Sequence, residues 1–179
     1  MTDKNLLTLY VMTYNRPDYL EQCLESISKQ NYKKFNLIVS DNGSDKNYLH
    51  VLKKYSFLNI KYIKHKKNNQ GSIFNFKFCF TNNIDTKYIM VFHDDDIMHP
   101  SLISYCIDYL ENNEDIVWIG SALKRFTKIN TNIFTNNSNI NVNKYDLEQF
   151  ICNLMLLKLD HGLSTNIYRY KAIKKINFN

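Results

Sequence analysis

Residues 88–100 decide the fold and read YIMVFHDDDIMHP. The apolar run 89–92 is followed closely by Asp94, Asp95 and Asp96. A run that is apolar at every position predicts an interior strand of a parallel sheet, because such a strand is covered on both faces. Ligands of such sheets bind beyond the carboxyl ends of the strands, where the three aspartates stand.

The three aspartates predict a metal site. Adjacent carboxylates repel one another, so the cluster is most stable when a hard divalent cation lies among them. Ligand atoms that are all oxygens point to Mg²⁺ or Mn²⁺ and not to zinc. The alternative is an acidic turn that water solvates.

Length and composition indicate one folded domain. The chain has 179 residues, enough for a sizeable core, and its 13 Tyr and 11 Phe argue against disorder. The sequence contains no run of about eighteen apolar residues, so it predicts no membrane span. Its first residues lack the pattern of a signal peptide. We therefore expect a cytoplasmic protein. The four cysteines are far apart in apolar surroundings, which predicts reduced core thiols; they are Cys23, Cys79, Cys106 and Cys152.

The net charge of +6 is spread over lysine pairs along the chain, and the densest group is the basic patch, defined as Lys61, Lys64, His65, Lys66 and Lys67. Such a patch suits an anionic membrane surface, here the inner face of the cell membrane, or a phosphorylated ligand. The alternative is a lysine-rich face that only water contacts. No nucleic-acid motif interleaves with the lysines, so we expect no nucleic-acid partner.

The rest of the chain alternates strands and helices. Strands are predicted at 6–12, 35–40, 59–64, 87–92 and 116–119, and helices at 17–27, 48–55, 71–80, 100–110, 143–155 and 171–176. Segment 127–143 is predicted as a loop or an irregular hairpin, 158–165 as a loop, and 166–169 as a short extended piece.

The assignment of 71–80 is the least direct. Its phenylalanines alternate as in a strand, while Ser72 and the alternation of strands and helices around it favour a helix, which we adopt.

The order of the predicted strands and helices along the chain predicts an α/β fold with a mostly parallel sheet. The polar loops at the carboxyl ends of its strands are 13–16, 41–45, 65–71 and 94–96.

These loops resemble those of a known enzyme family. Residues 13–16 (TYNR), 41–44 (DNGS), 69–71 (NQG) with Asn75, and 94–97 (DDDI) with Pro100 resemble the family 2 glycosyltransferases of the GT-A fold. These are inverting enzymes that use a nucleotide-diphosphate sugar. The resemblance covers nearly the whole chain and includes the stretch 164–169 (STNIYR).

The resemblance implies a GT-A type, Rossmann-like, mostly parallel sheet flanked by helices. It implies a single domain, 1–179, in which 1–100 binds the nucleotide sugar and 101–179 forms part of the acceptor side. It also implies a UDP-linked donor, a glycan or lipid-linked acceptor, and Mn²⁺ or Mg²⁺ as cofactor.

The same resemblance implies the site residues. Asp41 accepts a hydrogen bond from a uracil-type base, Asp94 faces the ribose, Asp95 is the direct metal ligand, and Asp96 is a second ligand or holds a metal-bound water. The nucleotide-binding residues are Thr13, Tyr14, Arg16, Asp41, Ser44, Gly71, Asn75 and Asp94. The alternatives are a helix-capping loop at 13–16 and an Asx turn at Asp41.

The general base is the weakest part of the resemblance. Family members supply it from an acidic Glu-Asp pair beyond the region that matches the end of this sequence, and the candidates here are Asp160 and His161. Two positions depart from the family pattern. Phe74 stands where many members have an arginine, and His93 stands where many have the first acid of an Asp-x-Asp motif.

Three functions compete. The first is a metal-dependent glycosyltransferase acting with inversion, and the second is a truncated or degenerate nucleotide-sugar-binding module without turnover. The third, a phosphatase that forms an aspartyl phosphate, would place its acidic motif near the start of the domain, unlike 94–96. A nucleotidyltransferase needs a glycine-rich loop after the first strand, and 13–17 contains no glycine.

Overall fold

A computed structural model of the chain describes residues 4–123, 125–126, 142–155 and 161–176. The strands in this part of the chain are β1 (Leu7–Thr13), β2 (Phe35–Asp41), β3 (Lys61–Lys64), β4 (Tyr88–His93), β5 (Trp118–Ala122) and β6 (His161–Arg169). The helices are α1 (Pro17–Ser28), α2 (Leu49–Lys54), α3 (Ser72–Thr81), α4 (Leu102–Asn112), α5 (Leu147–Met155) and α6 (Tyr170–Ile173). Among the described residues, no helix combines the length and apolarity that a membrane span requires.

The strands form one sheet in the order β3-β2-β1-β4-β6-β5. The first four strands are parallel, whereas β6 is antiparallel to both β4 and β5. In this register Thr13 lies opposite Asp41 and Met12 lies opposite His93, so the polar ends of β1, β2 and β4 share one edge. The predicted α/β fold with a mostly parallel sheet is confirmed.

Two hydrophobic cores cover the two faces of the sheet. Leu7, Leu9 and Val11 of β1 pack with α1, α2 and α4 on one face. Tyr10 and Met12 pack with α3 and α6 on the other face. All seven residues of β1 are buried, which explains the unbroken apolar runs, and each fully buried large aliphatic side chain contributes about 1.5–3 kcal/mol to stability.

The ambiguous segment 71–80 forms helix α3, as predicted. Its buried residues are Asn75, Cys79 and Phe80, and the first two lie on one face because they are four residues apart. Asn75 fastens the helix to the sheet: its Nδ2 donates to the Ser40 carbonyl at 3.0 Å, and its Oδ1 accepts from Ser40 Oγ at 2.5 Å. This anchor outweighs the strand-like alternation of the phenylalanines.

The predictions for the last third of the chain need correction. Residues 161–165 were predicted as a loop, but they belong to the nine-residue strand β6. The helix predicted from 143 begins only at Leu147, and Asp146 caps it. Asp146 Oδ1 accepts from the Gln149 N–H at 2.8 Å, and Gln149 Oε1 accepts from the Asp146 N–H at 3.2 Å. Cys152 is exposed and is not a core thiol. Residues 127–141 of the predicted loop lie outside the described residues.

Gly43 makes the turn after β2 possible. Its φ is +77°, and an added Cβ would lie 2.3 Å from the Lys67 carbonyl oxygen. We expect Gly43→Ala to lower the free energy of unfolding by about 2 kcal/mol, because the clash adds to the cost of a positive φ. Gly71 is the matched control, since its φ is +89° but nothing lies within 4 Å of an added Cβ. Urea unfolding checks this: equal losses for Gly43→Ala and Gly71→Ala would contradict the role of the clash.

Candidate functional site

The polar ends of β1, β2 and β4 meet around Asp94. This aspartate is 1 % exposed and follows β4 directly. Thr13 Oγ1 at the end of β1 donates to Asp94 Oδ2 at 2.6 Å. Arg16 Nη2 lies 2.6 Å from Asp94 Oδ1, and Arg16 Nη1 donates to Asp95 Oδ2 at 2.8 Å. The guanidinium of Arg16 therefore bridges two neighbouring carboxylates.

Burial and charge compete at Asp94. Burial raises the pKa of Asp94 to about 6, although the hydrogen bond from Thr13 and the charge of Arg16 both favour the ionised form. Burial also acts to lower the pKa of Arg16, but Asp94 and Asp95 outweigh it and raise that pKa. Thr13 and Arg16 thus offset only part of the free-energy cost of burying the Asp94 charge. A cation or a further hydrogen-bond donor would stabilise this carboxylate.

We expect Asp94→Asn to stabilise the ligand-free protein more at pH 8 than at pH 4. The folded pKa of Asp94, about 6, lies above the ordinary value of 3.8, so the native state binds the proton more tightly. The resulting destabilisation is absent below the ordinary pKa, grows as pH rises towards 6, and is complete above it. The stability difference between variant and wild type should therefore increase by about 2 kcal/mol across this window.

Urea unfolding at several pH values, with a chelator present, measures that difference. Asp108→Asn, an exposed aspartate of α4, controls for the general effect of removing a carboxylate. A stability difference for Asp94→Asn that stays flat or shrinks as pH rises would show that Asp94 ionises normally.

His93, Asp95 and Asp96 together offer three ligand atoms for a metal ion. One ring nitrogen and two carboxylate oxygens all lie within 4.8 Å of one another. The aspartates were singled out in the sequence as metal ligands, but His93 was noted only as a departure from the family pattern. Its position directly before the aspartates at the end of β4 was the available signal. The structure therefore adds a nitrogen to a set of ligands that was expected to contain oxygen alone.

Asp41 lies at the end of β2, and both of its carboxylate oxygens accept hydrogen bonds. Asp41 is 0 % exposed; Oδ1 accepts from the Ser44 N–H at 2.9 Å and from Ser44 Oγ at 2.5 Å. Oδ2 accepts from the hydroxyl of Tyr62 on β3, a residue that sequence reasoning missed. Burial raises the pKa of Tyr62, and its hydrogen bond to Asp41 adds to the shift. Oδ1 thus bonds the backbone three residues on, one residue further than in the Asx turn offered as the alternative, and the contact of Asp41 with a base stays a prediction.

The remaining predicted nucleotide-binding residues surround the same edge. The Tyr14 hydroxyl donates to Asn68 Oδ1 at 2.6 Å, so this ring lies beside the loop before α3. The Gly71 carbonyl accepts from Asn42 Nδ2 at 3.1 Å. Asn75 is 3 % exposed and its amide is bonded to Ser40, so its contribution in this structure is to hold α3.

The side chains of the two predicted general-base residues are not among those that the structure describes. Asp160 lies outside the described residues. His161 begins β6, where its backbone pairs with Ala122, and its side chain is not among those described. Their catalytic role stays a prediction.

The comparisons with known proteins agree with this geometry. The model of the family described as glycosyl transferase family 2 matches residues 8–176. The chain belongs to glycosyl transferase family 2. It is 34 % identical over 139 residues to an uncharacterised glycosyltransferase of Methanocaldococcus jannaschii, covering 69 % of this chain and 47 % of that protein. The chain of this family 2 member thus spans about half the length of that relative.

Solved structures show the fold of the family 2 domain. Staphylococcus aureus TarS in complex with UDP matches with a TM-score of 0.68 at 18 % identity, over 94 % of this chain and 48 % of that one. A mannosyltransferase of Pyrobaculum calidifontis in complex with GDP-Man and Mn²⁺ matches with a TM-score of 0.58 at 17 % identity, over 69 % of this chain and 37 % of that one. The fold is the expected GT-A type, a Rossmann-like, mostly parallel sheet flanked by helices.

Proposed function

We propose that this family 2 member is a metal-dependent glycosyltransferase that moves a sugar, with inversion, from a UDP-linked donor to a glycan or lipid-linked acceptor. The observation that carries the proposal is the buried Asp94 beside His93, Asp95 and Asp96, at the edge where β1, β2 and β4 end. TarS bound to UDP and the mannosyltransferase bound to GDP-Man and Mn²⁺ support a nucleotide-sugar donor by their similar fold.

The ligand atoms fit a divalent ion. His93, Asp95 and Asp96 supply one nitrogen and two oxygens within 4.8 Å, and Arg16 already places positive charge on Asp95. Carboxylate oxygens suit Mg²⁺ and Mn²⁺ alike, whereas a ring nitrogen is a poor ligand for Mg²⁺, so Mn²⁺ is the better fit. When bound, the ion supplies stabilisation of negative charge on the leaving nucleoside diphosphate.

The residues of the chain divide the remaining work. Asp41 reads the base, and Asp94 holds the ribose. Arg16 bridges Asp94 and Asp95 without ligand, so it is placed to shift towards the diphosphate when Asp95 binds the ion. Thr13, Tyr14 and Ser44 shape the nucleoside pocket.

The acceptor side is proposed from the sequence. Residues 1–100 form the donor half and residues 101–179 part of the acceptor half, with Asp160 or His161 taking the proton of the acceptor hydroxyl. Lys64, Lys66 and Lys67 of the basic patch are exposed, which suits a pyrophosphate-linked acceptor or the anionic inner face of the cell membrane. The protein then works in the cytoplasm, peripherally attached.

A nucleotide-sugar-binding module without turnover is the second candidate. Such a module binds the nucleotide as the enzyme does but releases no diphosphate from a nucleotide sugar.

Thermal stability against UDP, GDP, CDP and dTDP tests the proposal, each with Mn²⁺, with Mg²⁺ or with a chelator. A ligand at a hundredfold excess over its Kd adds about 2.7 kcal/mol, which a domain of this size shows clearly. Stabilisation by UDP with Mn²⁺ and not with chelator supports the donor site, and UDP release from UDP-sugars then separates enzyme from module. If no diphosphate stabilises the protein, the proposed function is wrong.

A further inference from the structure

Tyr48 places its hydroxyl between the ends of β1 and β2. The residue precedes α2 and is 2 % exposed. Its oxygen lies 3.0 Å from Thr13 Oγ1 and 3.3 Å from Ser44 Oγ, and it accepts from the Arg16 N–H at 2.9 Å. All three partners belong to the loops that form the donor site.

The hydrogens of this network can be assigned by counting. A hydroxyl donates one hydrogen bond. Thr13 gives its proton to Asp94 Oδ2 at 2.6 Å, and Ser44 gives its proton to Asp41 Oδ1 at 2.5 Å. Both oxygens therefore face Tyr48 as acceptors, and the Tyr48 proton goes to the nearer one, Thr13.

The network joins the two ends of the donor site. Asp41 stands at the base end and Asp94 at the ribose and metal end, and Tyr48 contacts the hydroxyl that donates to each. The Tyr48 ring also lies 6.3 Å, centroid to centroid, from the ring of Tyr62, which donates to Asp41 Oδ2. Loss of the Tyr48 hydroxyl therefore leaves Thr13 free to rotate away from Asp94 and leaves the Arg16 N–H without its acceptor.

We propose that Tyr48 is a positioning residue of the donor site, whose hydroxyl donates to Thr13 and so keeps the Thr13 proton on Asp94, and accepts from the Arg16 N–H. The inference rests on the proposed function. Packing alone does not explain the hydroxyl, because phenylalanine would fill the same core volume without burying a polar atom. Tyr48 acts through its neighbours and needs no contact with the donor.

Tyr48→Phe tests this inference with Tyr55→Phe as the matched control. Tyr55 is 4 % exposed and lies at the other end of α2. Calorimetric titration with UDP and Mn²⁺ should give a Kd about tenfold higher for Tyr48→Phe, as expected for a lost hydrogen-bond network. The Kd of Tyr55→Phe should stay near that of the wild type, even if its melting temperature falls as much as that of Tyr48→Phe. A purely structural tyrosine would lower the melting temperature without changing Kd.

A double variant identifies the route of the effect. If Tyr48 acts through Thr13, Tyr48→Phe combined with Thr13→Val should bind UDP no more weakly than Thr13→Val alone. Fold-losses that multiply, or a wild-type Kd for Tyr48→Phe, would overturn the inference while leaving the proposed function intact. If the wild type binds none of the four nucleoside diphosphates, both the proposed function and this inference fail.

Discussion

Asp95→Asn is expected to weaken binding of UDP in the presence of Mn²⁺ by at least about a hundredfold. Asp95 is half-exposed, shares the proposed metal site with His93 and Asp96, and pairs with the guanidinium of Arg16 at 2.8 Å. Asparagine keeps the shape but removes the charge that holds a divalent ion, so two ligands remain. Because the nucleoside pocket is untouched, UDP binding measured with a chelator should change little.

Two measurements separate the loss of metal from a loss of fold. Electron paramagnetic resonance counts free Mn²⁺ directly, and calorimetry gives the Kd of UDP with and without the ion. Asp115→Asn is the matched control, because Asp115 is exposed and lies after α4, paired at 3.8 Å with Lys144. Wild-type Mn²⁺ binding by Asp95→Asn would remove Asp95 from the proposed metal site.

Arg169→Met is expected to lower the free energy of unfolding by about 3 kcal/mol. The Arg169 guanidinium donates to the Ile116 carbonyl at 2.6 Å, the Asn113 carbonyl at 2.9 Å, the Leu110 carbonyl, and the Tyr88 hydroxyl at 3.1 Å. These groups lie at the end of α4, before β5 and on β4, so one side chain joins three elements. Methionine fills the volume but leaves several half-buried carbonyls without donors.

Urea unfolding measures this loss. Lys171→Met removes an exposed positive charge two residues further on and should change stability little. Arg169→Lys should recover only part of the lost free energy of unfolding. A lysine ammonium is compact and cannot donate to all of these carbonyls at once, as the planar guanidinium does. If Arg169→Met unfolds with nearly wild-type free energy, water replaces the guanidinium and the antiparallel edge is held by packing.

The part of the fold that the sequence predicted depends on local repetition. The run 89–92 is apolar at every position, and Leu20, Cys23, Leu24 and Ile27 recur at helical spacing, so strand β4 and helix α1 could be identified before any contact was known. In a parallel sheet the loops that follow the strands all lie at the edge formed by the carboxyl ends of the strands. The edge that holds Thr13, Asp41 and Asp94 followed from strand direction alone.

The antiparallel strand β6 was predicted only in part, as the extended piece 166–169. Residues 161–165 were predicted as a loop, because the run Ser164, Thr165 and Asn166 is polar and a polar run indicates a loop. All three are buried in the structure, and Thr165 Oγ1 donates to the Ser121 carbonyl at 3.0 Å across to β5. The Thr165 hydroxyl is accommodated in the interior because a strand distant in sequence supplies its partner.

The sequence by itself determined the family pattern, the parallel half of the sheet and the acidic cluster after β4. Only the tertiary structure showed that the His93 ring lies with the carboxylates of Asp95 and Asp96, that Tyr48 bonds to Thr13 and that Tyr62 bonds to Asp41. Periodicity reports which face of an element is buried, and it depends on neighbours a few residues apart. A hydrogen bond between β1 and α2 depends on the direction of two side chains brought together by the sheet, which no spacing along the chain encodes.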